Sequence, residues 1–187
     1  MSQAEQLRKG MVIRYEGQLY TVADFHTAQT GKQKPTVHVK LRALRDGRQV
    51  DRTLDQLGTL DEVASEVREM QYLYATGQER VFMDLQTYDQ YTLKTDQLGR
   101  ANDYLVEEQS YRLLSVDGQP VALQLPPTIT LQVTDTAPPE HAGGGSSVYK
   151  EATLASGRVV MVPLFIKTGD KIRVNTETGE YLGKEHE

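Results

Sequence analysis

Residues 29–42 read Gln-Thr-Gly-Lys-Gln-Lys-Pro-Thr-Val-His-Val-Lys-Leu-Arg, and two different patterns meet within them. The first seven residues are turn-prone and present two cations, Lys32 and Lys34. In residues 37–42 apolar and polar side chains alternate, which is the pattern of a half-buried β-strand. We therefore expect a stiff two-stranded hairpin with lysines at its tip and a basic outer face, a chemistry that suits a phosphate-rich partner.

The composition narrows the class of protein. The chain has 187 residues, of which 38% are hydrophobic and 25% are charged, an ordinary globular balance. No apolar run approaches the length of a membrane span, and the N-terminus lacks the layout of a signal peptide. The absence of cysteine excludes disulfides, thiolate nucleophiles and cysteine-ligated zinc. We expect a cytoplasmic protein with no membrane partner.

The net charge of −5 is unevenly distributed along the chain. Residues 1–62 carry a net charge of +2, residues 63–127 of −5 and residues 128–187 of −2. Residues 26–52 contain seven Lys or Arg and only two Asp. Because the local field matters more than the total charge for docking onto RNA, this segment favours a nucleic-acid partner. A solvated charged hairpin accounts for the same pattern equally well.

Short β-patterned runs separated by turn signals fill three consecutive blocks. In the first, residues 1–62, the strand spacing suggests a small barrel of the SH3 type. The second, residues 63–127, ends at two adjacent prolines, which break a β-ladder. The third comprises residues 128–187. The second and third blocks each have the strand count of a five-stranded OB-type barrel.

Three segments in these blocks carry more specific expectations. Leu98, Ala101 and Leu105 are spaced three or four apart, which predicts a helix over Asp96–Val106. The continuous apolar run Val159–Ile166 is typical of a buried strand. Residues 138–147 are rich in Pro, Gly and Ser and are typical of a loop, in which residues 143–147 should be mobile.

Catalytic motifs are scarce in this sequence. The chain has no Gly-x-Ser-x-Gly elbow, no glycine-rich phosphate loop before a helix and no Glu-x-x-His motif. None of its histidines shows metal-ligand spacing; they are His26, His38, His141 and His186. The glycine run at residues 143–145 follows no strand, so we interpret it as a linker. We therefore expect no enzyme, no metal site and no cofactor.

Several motifs along the chain match one known family. They are residues 31–42 quoted above, Tyr72-Leu73-Tyr74, Phe82-Met83, Val162-Pro163-Leu164-Phe165, Gly169-Asp170-Lys171-Ile172 and Thr176-Glu177-Thr178-Gly179-Glu180-Tyr181. Through them, the chain resembles bacterial elongation factor P over nearly its full length. The third block favours the bacterial factor over its two-domain, hypusine-bearing relative in archaea and eukaryotes.

The resemblance implies an all-β protein of three consecutive small β-barrels in a tRNA-like L shape. An SH3-like or KOW N-terminal domain (1–62) precedes two OB-type domains (63–127 and 128–187). It also implies a monomeric translation elongation factor that binds the 70S ribosome between the P and E sites and contacts rRNA. There the tip would position the CCA end of the prolyl peptidyl-tRNA in the P site and relieve polyproline stalls.

The same resemblance assigns roles to the residues of the hairpin. Lys32 stands at the position of the functional tip lysine, which contacts the tRNA and is the candidate target of a lysine-modifying enzyme. Six further residues would support the tip on RNA: Gly31, Gln33, Lys34, Pro35, Lys40 and Arg42.

The chain departs from the family pattern at two places. Its tip reads Thr30-Gly31-Lys32-Gln33, where the family commonly has Pro-Gly-Lys-Gly. Pro35 restricts the backbone of Lys34, which favours a tip that works unmodified. In the third domain, Ala142-Gly143-Gly144 replaces a Gly-Asp-Thr loop that contacts mRNA in relatives, so we expect a flexible tether there.

Two other classes of function stay open on sequence grounds. A general RNA-binding module without ribosomal specificity would use OB surfaces, and single-strand binding usually needs exposed aromatic side chains. The basic segment 26–52 contains no aromatic residue, which counts against that class. An enzyme of unknown type would need a convergent site, and the sequence offers none.

Overall fold

The computed structural model of the protein describes residues 2–3, 7–29, 31–33, 35–45, 47–55, 59–140 and 148–185. In these ranges nearly all regular structure is β-strand, arranged in three antiparallel sheets. This confirms the prediction of an all-β fold. No helix in the same ranges is long and apolar enough to cross a membrane.

The N-terminal sheet has six strands in the order β1-β6-β2-β3-β4-β5. The strands are β1 (Ser2–Gln3), β2 (Val12–Tyr15), β3 (Gln18–Ala28), β4 (Thr36–Ala43), β5 (Gln49–Asp55) and β6 (Thr59–Glu62). One face of the sheet packs on an apolar core that includes Ile13, Val22 and Leu41, each almost fully buried. This core supports the long strands β3 and β4.

The predicted hairpin is formed by β3 and β4, which pair from Tyr20 and Ala43 up to Ala28 and Thr36. Along β4 the buried and less buried side chains alternate as the sequence indicates. The arm differs from the expected two-stranded one, because β5 pairs with β4 over its whole length up to Thr36 and Asp55. The third strand completes the hydrogen bonds of β4 on its second edge and stiffens the arm.

The middle sheet has five strands in the order β11-β10-β7-β8-β9. Its elements are β7 (Ser65–Thr76), β8 (Glu79–Asp84), β9 (Gln90–Lys94), α1 (Thr95–Leu98), a 3₁₀ helix (Gly99–Tyr104), β10 (Ser110–Val116) and β11 (Gln119–Gln124). The prediction of one continuous helix over Asp96–Val106 is wrong, because two short helices of different type occupy this segment. Gly99 has a φ of 55°, which ends α1, and the chain continues as a 3₁₀ helix only to Tyr104.

The C-terminal sheet has five strands in the order β14-β13-β12-β15-β16. They are β12 (Thr128–Thr136), β13 (Tyr149–Leu154), β14 (Val159–Pro163), β15 (Lys171–Asn175) and β16 (Tyr181–Lys184). The prediction that Val159–Ile166 is a buried strand is wrong. The strand β14 ends at Pro163 and buries only one of its faces, so that Val160 and Val162 face the core while Val159 and Met161 are about half exposed. Ile166 is buried in the same core but lies beyond the strand. Residues 141–147 of the predicted mobile loop lie outside the described residues.

Apolar contacts join successive sheets. Val12 of β2 packs with Leu114 and Val116 of β10, which places the N-terminal sheet against the middle one. Tyr104, at the end of the 3₁₀ helix, belongs to the apolar core of the C-terminal sheet, where Ile172 also lies. The three sheets are therefore linked by packing as well as by chain connections.

Candidate functional site at the hairpin tip

The described part of the tip is Gly31, Lys32 and Gln33, which lie between β3 and β4. Gly31 has a φ of 62°, a left-handed conformation that favours glycine, and no atom lies near the position a Cβ would take. The backbone turn, and not crowding, therefore accounts for this glycine. Lys32 and Gln33 are both exposed.

The charge of Lys32 faces solvent. None of the ion pairs found among the described residues involves this lysine. Of the other predicted tip residues, Pro35 is half-buried at the start of the descending strand, and Lys34 lies outside the described residues. An exposed ammonium with three N–H donors can contact phosphate or ribose oxygens without leaving a partner in its own protein.

The outer face of the hairpin is less basic than the sequence suggests. The strand register places Lys40 between Asp24 of β3 and Asp51 of β5. Asp24 also pairs with Lys9 at 3.2 Å. The hydrogen bond from Lys9, followed by that from the Phe25 N–H, lowers the pKa of the Asp24 carboxyl. Asp24 therefore places a negative charge beside Lys40.

Two histidines form a stacked pair on the same face. The rings of His26 and His38 are 4.9 Å apart, centroid to centroid, with an angle of 29° between their planes. Nδ1 of His38 lies 2.9 Å from Oγ1 of Thr53, which fixes the orientation of the ring. The sequence motifs do not single out this pair, although an antiparallel hairpin centred on residue 32 does bring positions 26 and 38 together.

The predicted RNA contact Arg42 has a partner within the protein. Its Nη2 atom lies 3.6 Å from Oε1 of Glu177 in the C-terminal sheet. The structure thus separates the predicted cations into two groups, with Lys32 unengaged at the tip and Lys40 and Arg42 beside carboxylates. No three His, Asp or Glu side chains among the described residues are grouped so that they could hold a metal ion.

The fold of the first two sheets is similar to that of a solved structure. A solved structure described as eukaryotic translation initiation factor 5A from Methanococcus jannaschii superimposes with a TM-score of 0.50 at 19% identity. The match covers 63% of this chain and 86% of that one. The shared fold is a KOW-like domain followed by an OB-type domain.

Sequence comparisons define the family. The models described as elongation factor P (EF-P) KOW-like domain, EF-P OB domain and elongation factor P, C-terminal match residues 3–56, 65–123 and 129–184. Elongation factor P of Pelotomaculum thermopropionicum is 40% identical over 97% of this chain and 98% of its own length. That of Salinispora arenicola is 38% identical over 98% of this chain and 100% of its own length. The chain belongs to the elongation factor P family, whose members are translation factors and not classical enzymes.

Proposed function

We propose that this protein is an elongation factor that binds the 70S ribosome between the P and E sites. In this proposal it stimulates peptide bond formation at polyproline stalls by positioning the CCA end of the peptidyl-tRNA with Lys32. The observation that carries the proposal is an exposed lysine on a glycine turn at the end of the β3–β4 hairpin. Membership of the elongation factor P family supports it.

The factor acts in this proposal through geometry and not through chemistry. Proline has a locked φ and a ring nitrogen, so a nascent chain ending in consecutive prolines is poorly placed for attack. The ribosome supplies the peptidyl transfer reaction itself. A factor that fixes the tRNA end restores a near-attack arrangement. This effect can lower the activation barrier by several kcal/mol.

The hairpin has the reach and stiffness that this role needs. The eight residues of β4 span about 26 Å in an extended conformation. Pairing on both edges, with β3 and with β5, holds that strand straight. A lysine at the end of such an arm can touch RNA while the sheet itself stays outside the reaction site.

The remaining hairpin residues take supporting roles in the proposal. Gly31 gives the turn its conformation, Gln33 and Lys34 flank the working lysine, and Pro35 restricts the start of β4. Lys40 and Arg42 anchor the arm on rRNA, in competition with the carboxylates beside them.

The proposal also covers the organisation of the whole chain. It divides into domains at residues 1–62, 63–127 and 128–187, arranged as a monomer of tRNA-like shape in the cytoplasm. In the third domain, the Ala142–Gly144 segment acts as a tether and does not read mRNA.

A reconstituted translation reaction on a Pro-Pro-Pro reporter, followed by toeprinting, tests the proposal. Purified protein should remove the pause, and Lys32→Ala should abolish that relief. The control is Lys167→Ala, which deletes an exposed lysine between β14 and β15 and should leave the relief intact. Because Lys32 is exposed, its removal should change the free energy of unfolding by less than about 0.5 kcal/mol.

Two outcomes of this experiment would contradict the proposal. If the wild-type protein binds RNA but does not shorten the pause, the chain is a general RNA-binding module of KOW and OB domains. If Lys32→Ala unfolds the protein, the lysine has a structural role and not a working one.

A further inference from the structure

An arginine of the C-terminal sheet reaches across to the middle one. Arg158 closes the tight turn between β13 and β14, where its carbonyl accepts a hydrogen bond from the Leu154 N–H at 2.9 Å. Its Nη1 lies 2.9 Å from Oδ2 of Asp103 in the 3₁₀ helix. Its Cζ lies 5.3 Å from the ring centroid of Tyr104 in that helix, within the range of a cation–π interaction.

The ring of Tyr104, which Arg158 contacts, connects the two sheets. Tyr104 lies between β9 and β10 of the middle sheet, yet its side chain is only 1% exposed and lies in the core of the C-terminal sheet. Arg158 therefore covers the point where the 3₁₀ helix enters the neighbouring core. An arginine suits this place because it stacks on an aromatic face and donates to a carboxylate at the same time.

The C-terminal sheet leaves room for the guanidinium. A Cβ built on Gly179, in the turn before β16, would collide with Nη2 of Arg158. Gly179 also has a φ of 79°, which favours glycine independently of the contact. The arginine is thus held between the 3₁₀ helix on one side and the backbone of Gly179 on the other.

A second contact ties the connecting segment to the same sheet. Thr176 is 3% exposed, and its Oγ1 donates to the carbonyl of Pro126 at 2.6 Å. Its N–H donates to the carbonyl of Pro127 at 3.0 Å. Two adjacent prolines restrict the backbone, so this connection has little freedom to act as a hinge.

We propose that Arg158 is a positioning residue that locks the C-terminal sheet to the middle sheet, so that the C-terminal domain forms a preorganised second anchor on the ribosome. This inference rests on the proposed function. When two contact surfaces are held at the correct spacing, the second binds at a high effective concentration. A loosened joint would therefore weaken binding of the factor but leave the action of Lys32 on bound complexes unchanged.

The joint can be tested without the ribosome, because the chain has no native cysteine. Thr92→Cys in β9 and Thr168→Cys in the turn between β14 and β15 replace exposed residues and provide two sites for fluorescent dyes. Single-molecule energy transfer should give one narrow distribution for the wild type and a broad one after Arg158→Ala. Arg173→Ala is the matched control. It removes the ion pair in which Nε of Arg173 lies 3.7 Å from Oε2 of Glu185, and it should leave the energy-transfer distribution narrow.

A translation assay then separates positioning from action at the tip. Arg158→Ala should raise the concentration of protein that gives half-maximal relief of a Pro-Pro-Pro pause by about three- to tenfold, with an unchanged maximum. Lys32→Ala should lower the maximum instead. Arg158→Lys retains the charge but not the planar guanidinium. Its half-maximal concentration should lie between those of the wild type and Arg158→Ala.

Several outcomes would overturn the inference. An unchanged energy-transfer distribution shows that Arg158 does not hold the joint. An unchanged half-maximal concentration shows that a rigid joint does not contribute to binding of the ribosome. A lowered maximum shows that it acts on the reaction centre. If Arg158→Ala fails to fold, Asp103→Asn, at a half-exposed position, replaces it under the same criteria. Absence of relief by the wild type contradicts the proposed function alone, since the energy-transfer result stands by itself.

Discussion

Nη2 of Arg42 lies 3.6 Å from Oε1 of Glu177, so β4 of the N-terminal sheet contacts the turn before β16 of the C-terminal sheet. The two side chains are 41% and 59% exposed, and pairs of this kind are worth at most about 1 kcal/mol. A phosphate group can therefore displace Glu177. Since Arg42 is also a proposed anchor on RNA, Glu177 and the phosphate compete for the same guanidinium.

Removing the competing carboxylate should strengthen binding to ribosomes. We expect Glu177→Gln to tighten the binding of the protein to 70S ribosomes by about two- to fivefold. This factor corresponds to the loss of an ion pair that contributes up to about 1 kcal/mol. Arg42→Ala should weaken binding, and it should reduce the magnitude of the slope of log K against log salt concentration by about 1. Filter binding over a series of salt concentrations measures both.

The control for this prediction is Glu185→Gln. It removes one negative charge from the same sheet but leaves the Arg42 contact in place. If Glu185→Gln tightens binding as much as Glu177→Gln does, the effect comes from net charge and the competition is refuted.

Local patterns in the sequence predict much of the fold because strand alternation and turn chemistry act over a few residues. The β3–β4 hairpin and the alternation in β4 follow directly from residues 29–42. The exposed position of Lys32 follows from the same pattern. The split helix at Gly99 was not predicted, because an apolar spacing of three and four does not distinguish an α-helix from a 3₁₀ segment.

Contacts between distant segments could not be predicted. Asp24 and Asp51 lie beside Lys40 because of the register of three strands, and that register depends on the exact turn lengths of two hairpins, which the alternation of side chains alone does not fix. The contact of Arg158 with Asp103 depends on how two complete sheets pack. For this reason the sequence indicated which cations exist but not which of them already have partners.

A buried carboxylate holds the turn after β8, and its removal should destabilise the protein. Asp84 is 1% exposed, and Oδ1 accepts hydrogen bonds from the N–H groups of Gln86 at 2.7 Å and Thr87 at 3.2 Å. Oδ2 lies 2.6 Å from Nε of Arg68. We expect Asp84→Ala to lower the free energy of unfolding by about 2–4 kcal/mol, because it leaves two N–H groups without their acceptor and removes the carboxylate nearest to Arg68.

Urea unfolding at neutral pH measures this change. Asp89→Asn alters an exposed carboxylate near the same turn and should stay within about 0.5 kcal/mol of wild type. A similar small effect for Asp84→Ala would show that the turn holds itself without the carboxylate.

A second buried carboxylate should make stability depend on pH. Burial works to raise the pKa of Asp170, but bonds from the Lys167 N–H at 3.0 Å and from Lys184 at 3.4 Å outweigh it, and the pKa is lowered. A lowered pKa in the folded state contributes stability that is fully present above the ordinary value of 3.8 and is lost as pH falls through the folded value. Asp170→Asn should therefore destabilise the protein at pH 7 and matter progressively less in acid.

Urea unfolding of wild type and Asp170→Asn between about pH 2 and pH 7 tests this sign. The difference between the two should shrink as the pH drops below 3.8. Asp135→Asn, at an exposed position of β12, serves as the control and should follow the wild-type curve. A difference that is constant with pH would mean that shape, and not charge, makes Asp170 stabilising.

The tip lysine should be unmodified in the native protein. Lys32 is followed by Gln33, and β4 is already paired along both edges from Thr36 onward. A stiff arm presents the bare ammonium at a fixed distance, so an added group is not needed to extend its reach. Intact-mass spectrometry of protein purified from its own cells should therefore give the mass of the unmodified chain. An adduct that peptide mapping places on Lys32 would contradict this, and full relief of a Pro-Pro-Pro pause by unmodified recombinant protein would support it.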